Sequence, residues 1–156
     1  MTRSLAVLGV PWLLGLAACF KPISGDYSLE LVEESSDCPE DTGADTGGEE
    51  EDTTVPVAVN EDKSTMVIGD DTFSYDCPLD GRSFSCPTDP LEFDLSMYDV
   101  DAVVKTTFDI YGDWTGNDAF DLHVDYDITC SGADCESSGV TTCSGSGTSE
   151  ATLVSE

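Results

Sequence analysis

Between Phe120 and Ile128 the chain alternates without a break. Phe120, Leu122, Val124, Tyr126 and Ile128 are apolar, and Asp121, His123, Asp125 and Asp127 stand between them. A helix repeats every 3.6 residues and a strand every two, so this stretch reads as a strand with one buried and one wet face. The same signature recurs along the chain. Tyr27, Leu29 and Leu31 share one face of an early strand. Val55, Val57 and Val59 share another, where Pro56 argues for a sheet edge. Met66 and Ile68 lead into the turn Gly69-Asp70-Asp71, and Phe73, Tyr75 and Cys77 follow. Asp80-Gly81 marks a hairpin before Phe84 and Cys86, and Leu91, Phe93 and Leu95 make a further short strand. The longest run places Tyr98, Val100, Ala102, Val104, Thr106, Phe108 and Ile110 on one side, ahead of a turn around Trp114. No comparable window has helical spacing. The expected class is all-β: a small antiparallel barrel or sandwich of about seven or eight strands.

Charge narrows the partners. The chain carries 33 Asp and Glu against 5 Lys and Arg, a formal net charge of −28. Nucleic acid is excluded as a partner through a basic surface, because long-range attraction would be repulsion. Much of the acid lies in residues 35–54, where Asp-Thr-Gly at 41–43 repeats at 45–47 and Glu49 to Asp52 are unbroken. Only Cys38 and Ala44 there are apolar, so burial cannot offset the entropy of ordering it, and a solvated loop is expected. Carboxylates also suit calcium. Tested as an EF-hand from Asp41, however, the segment has Gly43 at the third position and Thr46 at the sixth. Weak calcium association on charge alone is the most it implies, and no resident cofactor is expected.

The amino terminus carries an address. Residues 1–18 hold one charge, Arg3, and an apolar run of about 12 residues from Leu5 to Leu16, shorter than the 20 or so needed to span a bilayer. The run ends in Leu16-Ala17-Ala18-Cys19, which resembles the lipobox of bacterial lipoproteins. That resemblance implies removal of 1–18 as a signal peptide. Cys19 would then carry diacylglycerol, with palmitate-type acylation of its amine, and would serve as the membrane anchor. Phe20 rather than Asp after the cysteine favours the outer membrane in the enterobacterial members of that family. After Cys19 four cations face the 33 acids, so net charge alone argues for a domain held off an anionic membrane. The expected layout is a lipid-anchored start and first strand at 19–34, the acidic loop at 35–54, the rest of the β-domain at 55–144, and a flexible tail or short last strand at 145–156.

Six cysteines remain beyond Cys19, and an exported protein has use for them as staples. A two-residue loop at Gly81-Arg82 would set Cys77 opposite Cys86, near enough to bridge. Cys130 and Cys135 flank a tight turn. Cys38 and Cys143 are left to pair. No Cys-x-x-Cys spacing points to zinc or an iron–sulfur cluster. The one histidine, His123, lies between Asp121 and Asp125 on the polar face. These three are the only metal candidates the pattern offers, and a solvated histidine is the plainer reading. Acid pairs such as Asp70-Asp71 carry little meaning among 33 acids, and no nucleophile elbow or phosphate-binding loop occurs, so a non-enzymatic protein is expected.

Two wider resemblances follow. Gly25-Asp26-Tyr27 at the first strand resembles the Gly-x-Trp of lipocalin-like barrels, which implies a small apolar ligand. The Asp-Thr-Gly tract, the lipobox and Cys130-Ser-Gly-x-x-Cys135 together are similar to myxobacterial lipoproteins with no assigned activity. The expected function is therefore a monomeric envelope lipoprotein that binds a small apolar ligand or serves an envelope protein as an accessory. The alternative is an acidic interaction module for a basic or calcium-bridged partner.

Overall fold

The computed structural model describes residues 20–39, 53–137 and 139–155. Cys19 and most of the acidic stretch 35–54 lie outside the described residues. Among the described residues nine strands form one antiparallel sheet: β1 Gly25–Ser36, β2 Thr53–Val59, β3 Thr65–Gly69, β4 Ser74–Asp80, β5 Ser83–Cys86, β6 Leu91–Asp94, β7 Val103–Trp114, β8 Ala119–Ser131 and β9 Cys143–Ser155. The order β5-β4-β3-β2-β1-β9-β8-β7 closes through a β5–β7 pairing into an eight-stranded barrel. β6 is the extra strand and continues along the same edge of β7 as β5, opposite Val103 to Thr106. The fold is all-β, as the alternation requires.

The barrel is filled at one end. Trp114, Tyr27, Phe120, Met66 and Cys77 are the largest fully buried side chains among the described residues. Trp114 lies 5.0 Å from Phe120, 5.9 Å from Tyr27 and 5.9 Å from Phe20, centroid to centroid, and Phe84 meets Phe120 edge-on at 5.6 Å. Rings packed at such tilted angles add to the free energy of their burial. Trp114 is thus the last residue of β7 and caps this end, while the turn itself falls at Thr115–Asp118, closed by Thr115 and Gly116 amides on the Ala119 carbonyl. Its indole N–H is buried without a hydrogen-bond partner among the described residues. Tyr27 is better served, since its hydroxyl donates to the Ile23 carbonyl at 2.6 Å.

Five sequence expectations need correction. The tail at 145–156 is neither flexible nor short: β9 runs 13 residues and pairs with both β1 and β8. Its Ser, Gly and Thr composition reads as loop, but two flanking strands satisfy its backbone, and its small residues make room for large neighbours. A Cβ at Gly145 would overlap the Tyr126 ring. The first strand extends past residue 34 to Ser36, and the Asp37 amide still bonds the Ser144 carbonyl. Pro56 does not mark an edge, because β2 lies between β1 and β3; the β2–β3 ladder starts at Val57, one residue beyond the proline. Tyr98, Val100 and Ala102 do not belong to the long strand, which begins at Val103, and Leu95 does not belong to the short one, which ends at Asp94. Asp94 caps a 3-10 turn over Leu95–Tyr98 by accepting from the Ser96 amide, and Asp99 leaves it at φ 59°.

Three disulfides are present, Cys38–Cys143, Cys77–Cys86 and Cys130–Cys135. The hairpin pairs Asp80 with Ser83 and Leu79 with Phe84, which sets Cys77 across from Cys86 with Cα atoms 4.1 Å apart. Cys38–Cys143 ties the exit of β1 to the start of β9 over 105 residues of chain, and Cys130–Cys135 closes only 5. In the chain-entropy account these contribute about 5 and about 2 kcal/mol respectively. Denaturant unfolding should therefore show the Cys38→Ser/Cys143→Ser pair losing more than twice the stability lost by Cys130→Ser/Cys135→Ser.

Burial, and secondarily the Asp118 charge, pushes the Tyr27 hydroxyl from 10.0 up to about 12. A group that holds its proton more tightly when folded stabilises fully below its unfolded value and loses that contribution as pH rises through the folded one. Stability should fall between about pH 10 and 12, and Tyr27→Phe should flatten that part of the profile relative to wild type in urea titrations.

Candidate functional site

The outer face of β7, β8 and β9 carries the least expected juxtaposition. Residues directly opposed in antiparallel strands have Cβ atoms about 4.5–5.5 Å apart and share a face. The register sets Asp109 opposite Asp125 and Asp113 opposite Asp121, and Asp121 in turn opposite Glu150. Asp113, Asp121 and Glu150 thus form a row of three carboxylates across three strands. The only Lys or Arg on this face of the three strands is Lys105, near the far end opposite Thr129. Like charges directly opposed cost about 0.2–1 kcal/mol per pair.

An aromatic pair sits in the middle of these acids. Tyr111 is directly opposite His123, and their rings stack at 5.2 Å with planes 22° apart. The Tyr111 hydroxyl donates to Asp125 Oδ2 at 3.2 Å, and that hydrogen bond, with the carboxylate's charge, raises the phenol above its usual range. On the far side His123 Nδ1 lies 3.0 Å from Thr148 Oγ1. Tyr111 remains exposed, as do Asp109, Asp113 and Glu150, while Asp121 and Asp125 are half-buried. The arrangement sets a part-exposed aromatic pair among negative charges, which suits a guanidinium or ammonium group.

Asp121, His123 and Asp125 do share this face, but they do not converge as a metal site would. The one group of three or more ligand atoms within 4.8 Å among the described residues is Asp37, Cys38 and Cys143. Its two sulfurs are joined in a disulfide and offer no thiolate, while Asp37 Oδ1 accepts the Ser144 amide. His123 and Asp125 are committed to Thr148 and Tyr111, which separates them. Tyr111 is the residue that the sequence reading passed over. Its signal was an aromatic out of phase with the apolar side of β7, but only the register of β7 on β8 reveals its partner.

The barrel interior is filled in part by side chains. The aromatic cluster fills one end, and at the other a groove of about 230 Å³ is lined by Leu31, Glu34, Val124, Tyr126, Ser146 and Gly147. Comparison with protein-family models, with curated proteins and with solved structures returned no match.

The opposed acids make a checkable claim. Asp121→Asn removes the central charge of the row and should raise stability by about 0.5 kcal/mol at low salt. Thermal unfolding should show the gain fading in molar salt, where the Debye length shrinks to about 3 Å.

Proposed function

We propose that this protein is a lipid-anchored component of a bacterial cell envelope, outer membrane favoured, whose barrel is a non-enzymatic binding module. Its outer β7–β9 face holds a basic partner, with Tyr111 and His123 as the stacking platform and Asp109, Asp113, Asp121, Asp125 and Glu150 as counter-charges. The observation that carries this reading is the opposed acid row. Such a row costs stability in the free protein, and a cationic partner would relieve that cost on binding. The lipobox and the three disulfides support export to an oxidising compartment.

A fluorescent oligo-arginine peptide is a direct probe. Its affinity should fall about threefold with Tyr111→Ala, the loss of an exposed cation–π contact, and should drop steeply with salt. Affinity unchanged by both Tyr111→Ala and Asp121→Asn would refute the face. The anchor is tested apart from it: Cys19→Ser should leave an unprocessed or soluble product free of palmitate label.

A second reading, a small apolar ligand, is favoured by the groove at the open end, where Leu31 is 59% exposed beside Val124 and Tyr126. Leu31→Lys should abolish binding of an apolar dye there without touching peptide affinity.

A further inference from the structure

Three of the four cations that follow Cys19 gather at the plugged end of the barrel. This base is built from residues 20–24 and from the turns at 60–64, 81–82 and 115–118. Phe20 packs against Trp114, and the Arg82 guanidinium lies 4.9 Å above the Phe20 ring. Arg82 Nη1 also donates to the carbonyls of Trp114 and Thr115, at 3.0 and 3.3 Å. Lys63 Nζ donates to the Phe20 carbonyl at 3.4 Å. The Lys21 amide bonds Asn117 Oδ1 at 3.0 Å and the Ile23 amide bonds the Asn117 carbonyl at 2.9 Å. The chain is therefore pinned to the base from the first residue after Cys19.

The charge distribution matches this geometry. The base segments hold Lys21, Lys63 and Arg82 against Glu61, Asp62 and Asp118, so they balance. The other 30 acids of the chain, including Asp26, Asp80 and Asp113 on the flanking strands, face one cation, Lys105. Net charge argues for a domain held off the membrane; its distribution argues for a molecule with one end that is not repelled.

We infer that the barrel base is a docking surface for the anionic phosphate headgroups of the membrane that holds the Cys19 lipid. The barrel stands base-down, with its open end turned outward. This rests on the lipid-anchor reading. Given that anchor, one peptide unit of about 3.8 Å joins the lipidated residue to Phe20, so the backbone adds no slack to the tether. β8, 13 residues long, places the far end roughly 30 Å away once strand tilt is allowed for. That is several Debye lengths of about 8 Å, so the far acids scarcely oppose contact at the base.

Trp114 is the only tryptophan after Cys19 and belongs to the base, which makes it an intrinsic reporter. The acylated protein, reconstituted in phosphatidylethanolamine–phosphatidylglycerol vesicles with a dansyl-labelled headgroup, should transfer most of its Trp114 emission to dansyl. Lys21→Glu with Lys63→Glu should lose much of that transfer, as should replacing the anionic lipid by phosphatidylcholine. Both lysines are exposed, and an unshifted Trp114 emission maximum would show that the double variant keeps its fold. Weak transfer in the acylated wild type, indifferent to vesicle charge and to both substitutions, overturns the orientation while leaving the anchor intact. An N-terminal peptide whose mass shows no acylation of Cys19 overturns the anchor, and the docking with it.

Discussion

Barrel closure depends on β9. It is the strand that joins the amino-terminal β1 to β8, and it does so with almost no large side chains of its own. What holds it is a long backbone ladder on each side, shifted in register on the β1 side at Asp26/Tyr27 and Leu31/Glu33, and close approach by its neighbours. Tyr126 lies over Gly145, and Leu31 comes near Gly147. Ala151 and Leu153 supply the only apolar anchors at the plugged end, where Ala151 is buried against the aromatic cluster. Cys38–Cys143 secures the other end of the same strand. The strand is thus held at both ends by side chains and along its length by peptide groups, whose pairing a buried backbone demands.

Register in turn shapes the charge. β7, β8 and β9 pair antiparallel, so strands rich in outward Asp set carboxylates across from one another. Where the register brings Asp113, Asp121 and Glu150 into line, repulsion is built into the folded state. The disulfides and the aromatic plug offset it. Closure collects the strand ends into two unlike poles: a base where cations and acids balance, and a far end with a half-exposed groove.

Much of this was legible in the sequence. Period-two alternation suffices for an all-β reading, because no helix can present apolar residues at every second position. The hairpin chemistry of Asp80-Gly81 was enough to bring Cys77 to Cys86, since a two-residue loop leaves one register. Alternation misled where local capping overrode it, at Leu95–Tyr98, and where composition hid a strand, at β9. A residue without a large side chain carries no periodic signal, so a strand held mainly by its neighbours cannot be read from its own letters.

The chain's own letters determined the class of fold, the chemistry of the outer face and the supply of sulfur for staples, because all three follow from side-chain type and local spacing. Only the tertiary structure decided that Tyr111 meets His123, that three acids form a row, and that Phe20, Lys63 and Arg82 share the base. Each of these joins residues on different strands, and their meeting depends on register and closure, which are properties of the whole sheet.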